Sequence, residues 1–588
     1  MRSVNSFAPT IPSAVQRLFA HATTSFATTT MIVFAFCAAT AIAAPAQTFT
    51  TLLDFDNTNG ASPEANLVQA TNGNLYGTTS QGGANGQGGT IFQVTPAGTL
   101  STLYNFCSEA NCADGGGPVG GLIEGTNGNL YGTTFTGGAK NNGLPGTVFQ
   151  ITPTGTLTTL YNFCTQAKCA DGEFPEAGLV QGTDGNLYGT TDEGGASGQG
   201  TVFKLTTTGK LTTLYSFCSQ ASCADGQFPL GGLVQGTGGD FYGTTSEGGT
   251  YGNGTVFKIT PAGTLTTLHS FCSDANCTDG EFPIGNLVPG ADGDYYGTTF
   301  LYPGTIFKIT PAGTLTTLYS FCSQTNCTDG SEPYAGLVQG NDGSFYGSTI
   351  QGGNNLCGGN GCGTLFKMTP GLGLTTLHTF EATDGSLTVG GLMQDTSGTF
   401  YGSTTTGGNT EDCAGAPGCG TVFSLAEGLH PFVEAQTNSC KAGGEVVILG
   451  TNLTGATSVT FNGMSAQFTV VSGSEITTTV PFGATTGTLQ VTTPSSGKLK
   501  SNTVFRVTPQ LISFTPSSGK AETRVTITGV SLTQTTGVSF NGVPAASFTV
   551  YSDTEVTAVV PSTATTGKIT ITTKGGSATS ASIFTVTE

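Results

Sequence analysis

The chain repeats itself. One segment, Gly178-Leu179-Val180-Gln181-Gly182-Thr183-Asp184-Gly185-Asn186-Leu187-Tyr188-Gly189-Thr190-Thr191, recurs with small changes between residues 47 and 429. Its Tyr-Gly pair falls at Tyr76, Tyr131, Tyr188, Tyr242, Tyr296, Tyr346 and Tyr401, spaced by 50 to 57 residues. A Gly-Thr-(Val/Ile/Leu)-Phe segment follows each, with its Phe at 92, 149, 203, 257, 307, 366 and 423. A chain built this way repeats one small supersecondary unit, and each copy must bury its apolar face against its neighbours.

Within the third copy, four runs have strand character: Gly178–Thr183, Asn186–Thr191, Thr201–Thr206 and Leu211–Phe217. Asp184-Gly185 joins the first two as a hairpin signal, and Thr-Thr-Gly, or Thr-Pro-Ala-Gly in other copies, joins the last two. Four antiparallel strands in such a period make a propeller blade. The ends sharpen this reading. Each of the first six copies is followed by a Leu-Thr-Thr-Leu-(Tyr/His)-x-Phe strand or a close variant, but the seventh is not. The missing strand lies at the other end of the chain, as Phe49-Thr50-Thr51-Leu52-Leu53-Asp54-Phe55. An N-terminal strand that completes the last blade removes an exposed sheet edge, which a linear solenoid has no reason to do. The expected fold is all-β, with a seven-bladed β-propeller over 47–429 closed by the strand 49–55.

Residues 1–46 read as an export signal. Arg2 and Arg17 precede an apolar run from Met31 to Ala43, followed by the small-residue sites Ala41-Ile42-Ala43 and Ala44-Pro45-Ala46. The run is too short for the roughly 20 residues of a membrane span, and no later segment is apolar enough, so no span is expected in the mature chain. The cysteines fit an oxidising compartment. Six C-x4-C pairs, Cys107/Cys112, Cys164/Cys169, Cys218/Cys223, Cys272/Cys277, Cys322/Cys327 and Cys357/Cys362, and the looser Cys413/Cys419 are expected as local disulfides, with Cys440 left over. A metal site would need four ligands, and neighbouring pairs belong to different copies. The expected location is secreted or cell-surface.

The Gly-x-Leu-Tyr-Gly-Thr-Thr and Gly-Thr-Val-Phe-Lys pattern resembles the choice-of-anchor GloVer-type tandem-repeat family of exported bacterial proteins, over some 380 residues. The resemblance implies the repeat architecture and no biochemical activity. After about Pro431 the sequence changes to two further repeats. The second holds Ile512–Gly519, Val525–Gly529, Val538-Ser539-Phe540-Asn541-Gly542 and Val559-Val560-Pro561, and the first echoes it with Val446–Gly450, Val459–Gly463 and Val480-Pro481. These resemble IPT/TIG domains, which implies two immunoglobulin-like β-sandwiches, at 430–507 and 508–588. Strand-length apolar runs between Gly and Asn-Gly turns agree with that. In the first, Asn438-Ser439-Cys440-Lys441 replaces the usual opening Pro-x-Ser-Gly, leaving its first strand in doubt.

Strand alternation sorts the loops. Tight turns gather at one end of the sheets, while the cysteine pairs and the longer Gly-rich loops gather at the other, where binding is expected. On that face an Asp-Gly follows each inter-blade link: Asp114, Asp171, Asp225, Asp279, Asp329 and Asp384, with Asn59 in the first copy. These aspartates are candidate binding residues, either as a ring for calcium or a polar ligand, or simply as the turn that enters the first strand. No other cofactor is expected. Catalytic groups are scarce. His21 lies in the export segment, His269 and His378 stand where other copies have Tyr104, Tyr161, Tyr215 and Tyr319, and His430 sits at a junction, so no Ser-His-Asp or multi-His site can be assembled. Trp is absent. A formal charge of −19 with 17 basic residues disfavours nucleic acid as a partner. The expectation is a non-enzymatic binding or adhesion scaffold that takes a glycan, matrix component or surface protein on its disulfide-stapled face. A carbohydrate-active hydrolase or lyase using carboxylates there is the alternative.

Overall fold

The computed structural model describes residues 47–86, 88–138, 145–371, 373–408 and 418–588. The expected export segment 1–46 and Cys413 lie outside the described residues.

Each of the seven copies folds as one four-stranded antiparallel sheet, giving a propeller-like series of sheets. In the third copy the strands are Val180–Gln181, Leu187–Thr191, Thr201–Leu205 and Leu211–Ser216, side by side in chain order. The first is much shorter than the expected Gly178–Thr183. Crowding explains the difference, because the segments entering neighbouring sheets touch: a Cβ on Gly178 would lie 2.8 Å from the Gly121 carbonyl oxygen.

The signature residues have physical roles. The second Thr of Gly-Thr-Thr meets the Thr of Gly-Thr-Val-Phe across the two middle strands, as in Thr191–Thr201 at 2.8 Å. Similar buried pairs occur in all seven sheets. The Gly of Tyr-Gly is obligatory because the tip of the repeat Phe ring abuts it: a Cβ on Gly189 would sit 2.7 Å from Phe203 Cζ. The Tyr hydroxyl ties down the preceding turn, Tyr188 Oη donating to Asp184 Oδ2 at 2.9 Å.

Phenylalanines couple the sheets. Phe163, which ends the second sheet, meets Phe203 of the third edge-on, with centroids 5.2 Å apart, and the contact recurs between successive sheets. The seventh sheet takes its fourth strand from Thr48–Asp54, which pairs antiparallel with Thr421–Ala426. Phe55 then meets Phe92 of the first sheet at 5.2 Å. Hydrogen bonds also join these two copies, among them Ser403 Oγ donating to the Ala65 carbonyl and Thr396 N to Gln69 Oε1.

The tail forms two all-β units, each with its own core, one around Ile448, Phe461 and Phe505 and the other around Ile527, Phe540 and Phe584. Despite the unusual opening of the first, both begin alike: Ser439–Lys441 and Ser518–Gly519 each pair in parallel with the last long strand of their unit. The first unit seats on the tight-turn end of the sheets. Ser474 Oγ donates to the Thr71 carbonyl, Gln436 Nε2 to that of Gly125, and Phe432 N to that of Thr396. Among the described residues no helix is long and apolar enough to cross a membrane.

Candidate ligand cavity

At the end of the sheets away from the tail, five of the inter-sheet links carry a disulfide, Cys107–Cys112, Cys164–Cys169, Cys218–Cys223, Cys272–Cys277 and Cys322–Cys327. The sixth, Cys357–Cys362, staples the loop between the second and third strands of the sixth sheet. Cys419 is also disulfide-bonded. Cys440 is a free thiol, half-buried, whose pKa burial pushes up.

The repeated aspartates serve these links. Asp225 is fully buried and accepts from Tyr215 Oη at 2.7 Å, Ser219 N at 2.9 Å, Ser219 Oγ at 2.8 Å and Gln220 N at 3.1 Å. Burial opposes its ionisation, but these hydrogen bonds outweigh it and hold the pKa below the ordinary value. Asp114, Asp171 and Asp329 make the same set of contacts. In Asp279 and Asp384 the tyrosine is replaced by His269 or His378, each with Nε2 2.9 Å from the carboxylate. All six carboxylates are therefore directed into their own loops. Two tight groups of potential metal ligands, Cys164/Cys169/Glu173 and Cys272/Cys277/Glu281, include disulfide sulfurs, which offer no thiolate.

The chain converges two residues beyond each loop's glycine. There Ser62, Phe174, Phe228, Phe282, Glu332 and Leu387 have left-handed backbone, φ between 55° and 57°, and Gly117 takes the seventh position at 58°. Such conformations are costly for non-glycine residues and persist only where the surroundings enforce them. Here a hydrogen bond does so in every copy, for example Asp192 N to the Phe174 carbonyl at 2.9 Å. This kink turns the residue two places later inward. Those seven residues are Glu64, Val119, Glu176, Leu230, Ile284, Tyr334 and Val389, and all seven line one cavity of about 470 Å³. Ser80, Gln81, Phe135 and Thr136 complete much of its wall.

The lining has two characters. Leu230, Ile284 and Val389, with Val119 and Phe135, are apolar, and Tyr334 packs edge-on against Phe300 with centroids 5.5 Å apart. Glu64 and Glu176 are acidic, with Asp192 beside Glu176. Burial lifts Glu176 from 4.5 to about 7, helped by the charges of Asp192 and Glu64. Burial also lifts Asp192 from 3.8 to about 6, with Glu193 and Glu247 adding to it. Glu64 is raised by burial, partly offset by a hydrogen bond from Ser80 Oγ at 2.7 Å. Tyr334 is raised by burial and then by Glu176, Glu64 and Asp192, so these groups feel one another across the cavity. Among the described residues no lining residue is basic. Groups with carboxylate pKa values near neutrality can accept or donate hydrogen bonds and exchange protons in the physiological range.

None of these cavity residues was singled out from the sequence. The available signal was divergence: the flanking Pro and the small residue that follows are nearly uniform among the copies, while the residue between them changes chemistry from copy to copy.

The chain is similar to a fungal alcohol oxidase of the AA5 family, in complex with copper, at 13% identity, covering 78% of this chain and 98% of that one with a TM-score of 0.42. It is also similar to the surface glycan-binding protein PbSGBP-B from Prevotella bryantii at 20% identity, covering 25% of this chain and 38% of that one with a TM-score of 0.20. Likenesses this distant say nothing about the cavity. A comparison with curated proteins finds no match. A known family profile matches the chain in four overlapping stretches, residues 37–181, 146–358, 219–423 and 302–551, and the chain belongs to the Gloeobacter/Verrucomicrobia repeat family.

Proposed function

We infer that the seven sheets form a closed seven-bladed β-propeller over 47–429, that 430–507 and 508–588 are immunoglobulin-like sandwiches of the IPT/TIG kind, and that the protein is a secreted or cell-surface binding scaffold. Its ligand is an extracellular glycan, taken into the central cavity on the disulfide-stapled face. The observation that carries this reading is the convergence of all seven inward residues on one cavity with mixed acidic, hydroxyl-bearing and aromatic walls. Carboxylates and hydroxyls match the hydroxyl groups of a sugar, and Tyr334 and Phe135 offer apolar faces for its ring. The cavity volume is in the range of small-ligand sites. The tail covers the opposite end and leaves this face open.

A second reading has its own support. Glu176 at about 7 and Asp192 at about 6 have values suited to general acid and base work, as in a glycoside hydrolase or lyase. One experiment addresses both. Leu230→Trp narrows the cavity from its apolar lining and leaves Glu64 and Glu176 in place. Binding to an oligosaccharide panel is expected to change in this variant, with the unfolding midpoint retained, and no new reducing ends should appear with the unaltered protein. An affinity that is unchanged by Leu230→Trp removes the cavity from the account. Reducing ends that vanish in Glu176→Gln establish the enzymatic reading instead.

A further inference from the structure

Resting on the reading of the cavity as a glycan site, we propose that it selects saccharides bearing free ammonium groups, that is, amino sugars that are not N-acylated. Three observations lead there. First, among the described residues the cavity holds two carboxylates, with a third adjoining, and no basic lining residue. The repeat lysines are spent elsewhere: Lys204, Lys258, Lys308 and Lys367 pair with Asp184, Asp240, Asp292, Asp294 and Asp342 at the tight-turn end of the sheets. Second, the acids stand at positions where the fold asks for nothing acidic. Four of the six positions equivalent to Glu176, those in copies two, four, five and seven, carry Val, Leu, Ile and Val without altering the backbone kink. Crowding like charges in a half-buried space destabilises the folded chain, so their presence calls for a ligand that relieves it. Third, the charges come from the first and third copies, Glu64 and Glu176 with Asp192, close enough to raise one another, while Val119, Leu230, Ile284 and Val389 of the second, fourth, fifth and seventh copies give the same cavity an apolar lining.

An inorganic cation would use the acidic groups and ignore the apolar lining. A neutral sugar would use both but leave the carboxylates unneutralised. A glucosamine unit has an ammonium group for Glu64 and Glu176 and an apolar ring face for the apolar lining. N-acetylation removes the charge and adds bulk at that same atom.

The test is calorimetric titration of the full chain with three probes of equal length: β-linked glucosamine, N-acetylglucosamine and glucose oligomers. The glucosamine oligomer is expected to bind about 10- to 100-fold more tightly than the other two, the range that a charge-assisted hydrogen bond to a half-buried carboxylate supplies. The double variant Glu64→Gln/Glu176→Gln should abolish that preference, and Asp274→Asn on an exposed loop should leave it intact. A preference that survives the double variant, or falls equally in Asp274→Asn, reduces the effect to attraction by the chain's overall negative charge and overturns the proposal. If the three oligomers bind equally and Leu230→Trp alters the affinity of all three, the cavity is a glycan site but not one selective for amino sugars. If none of them binds, the glycan reading falls with the proposal.

Discussion

Replacing Glu176 with glutamine will stabilise the protein at pH 8 and leave it almost unchanged near pH 4. Burial, then Asp192 and Glu64, lift the Glu176 carboxyl from 4.5 to about 7 in the folded chain. The folded state therefore keeps its proton at pH values where the unfolded chain has lost it. Stability contributed by this group is highest below the unfolded value and declines as pH rises through about 7, above which the full penalty is in place. Each pKa unit corresponds to about 1.4 kcal/mol, so the whole shift gives at most ~3.4 kcal/mol. Solvent still reaches the carboxyl, and screening trims this to ~2–3 kcal/mol. Glutamine keeps the shape and never ionises, so it removes the penalty. Because the chain has no Trp, urea unfolding is followed by tyrosine fluorescence or circular dichroism at pH 5, 6, 7 and 8. The midpoint of the variant should rise above that of the unaltered protein as pH increases, by roughly 0.5–1 M at pH 8 for a slope of about 3 kcal/mol/M. A variant that is less stable at pH 8, or a difference that does not depend on pH, would refute the claim that Glu176 is held at a cost beside Asp192 and Glu64.

Two further outcomes test the framework around the cavity. Asp225→Ala removes the acceptor of four hydrogen bonds and should cost ~2–4 kcal/mol at pH 7, with faster reduction of Cys218–Cys223. Because the Asp225 pKa is depressed on folding, its contribution is present above the unfolded value and lost as pH falls through the folded one, so the cost should shrink below about pH 4. An unchanged denaturation midpoint and reduction rate would mean that the carboxylate does not clasp the loop. Phe55→Ala should cost the same as Phe217→Ala, ~3–5 kcal/mol each, because both rings are fully buried and meet the next sheet at 5.2 Å. A Phe55 variant that unfolds no more readily than the unaltered chain would contradict the N-terminal strand's part in holding the seventh sheet to the first.

Much of the fold could be read from residues that repeat. Gly189, Thr191, Thr201 and Phe203 recur because each is locked to another member of the same set, and Tyr188 because it ties down the turn at Asp184, so their spacing carries the sheet with it. The displaced strand Phe49–Phe55 was legible for the same reason: it is one more copy of the outer strand. That logic misleads at the candidate site. Asp114, Asp171, Asp225, Asp279, Asp329 and Asp384 drew attention because they recur, and recurrence in a repeat protein marks what every copy needs, here a loop clasp. Glu64, Glu176 and Tyr334 drew none because they match no pattern, yet each lies where the backbone kink turns one residue inward in every copy. The seat of the tail was illegible for a different reason. It uses the backbone carbonyls of Thr71, Gly125 and Thr396, which leave no trace in side-chain identity.

The cavity's role as the ligand site is tested most directly by hydrogen–deuterium exchange of the full chain, with and without a saturating concentration of the tightest-binding oligosaccharide. Protection should appear in peptides spanning 62–66 and 80–82 of the first copy, 174–178 of the third and 332–336 of the sixth, all of which contribute lining residues to the cavity. The tight-turn residues and the tail should exchange as before. Protection confined to the disulfide loops around Cys164–Cys169 and Cys218–Cys223, or to the tail, would place the ligand elsewhere and contradict the account.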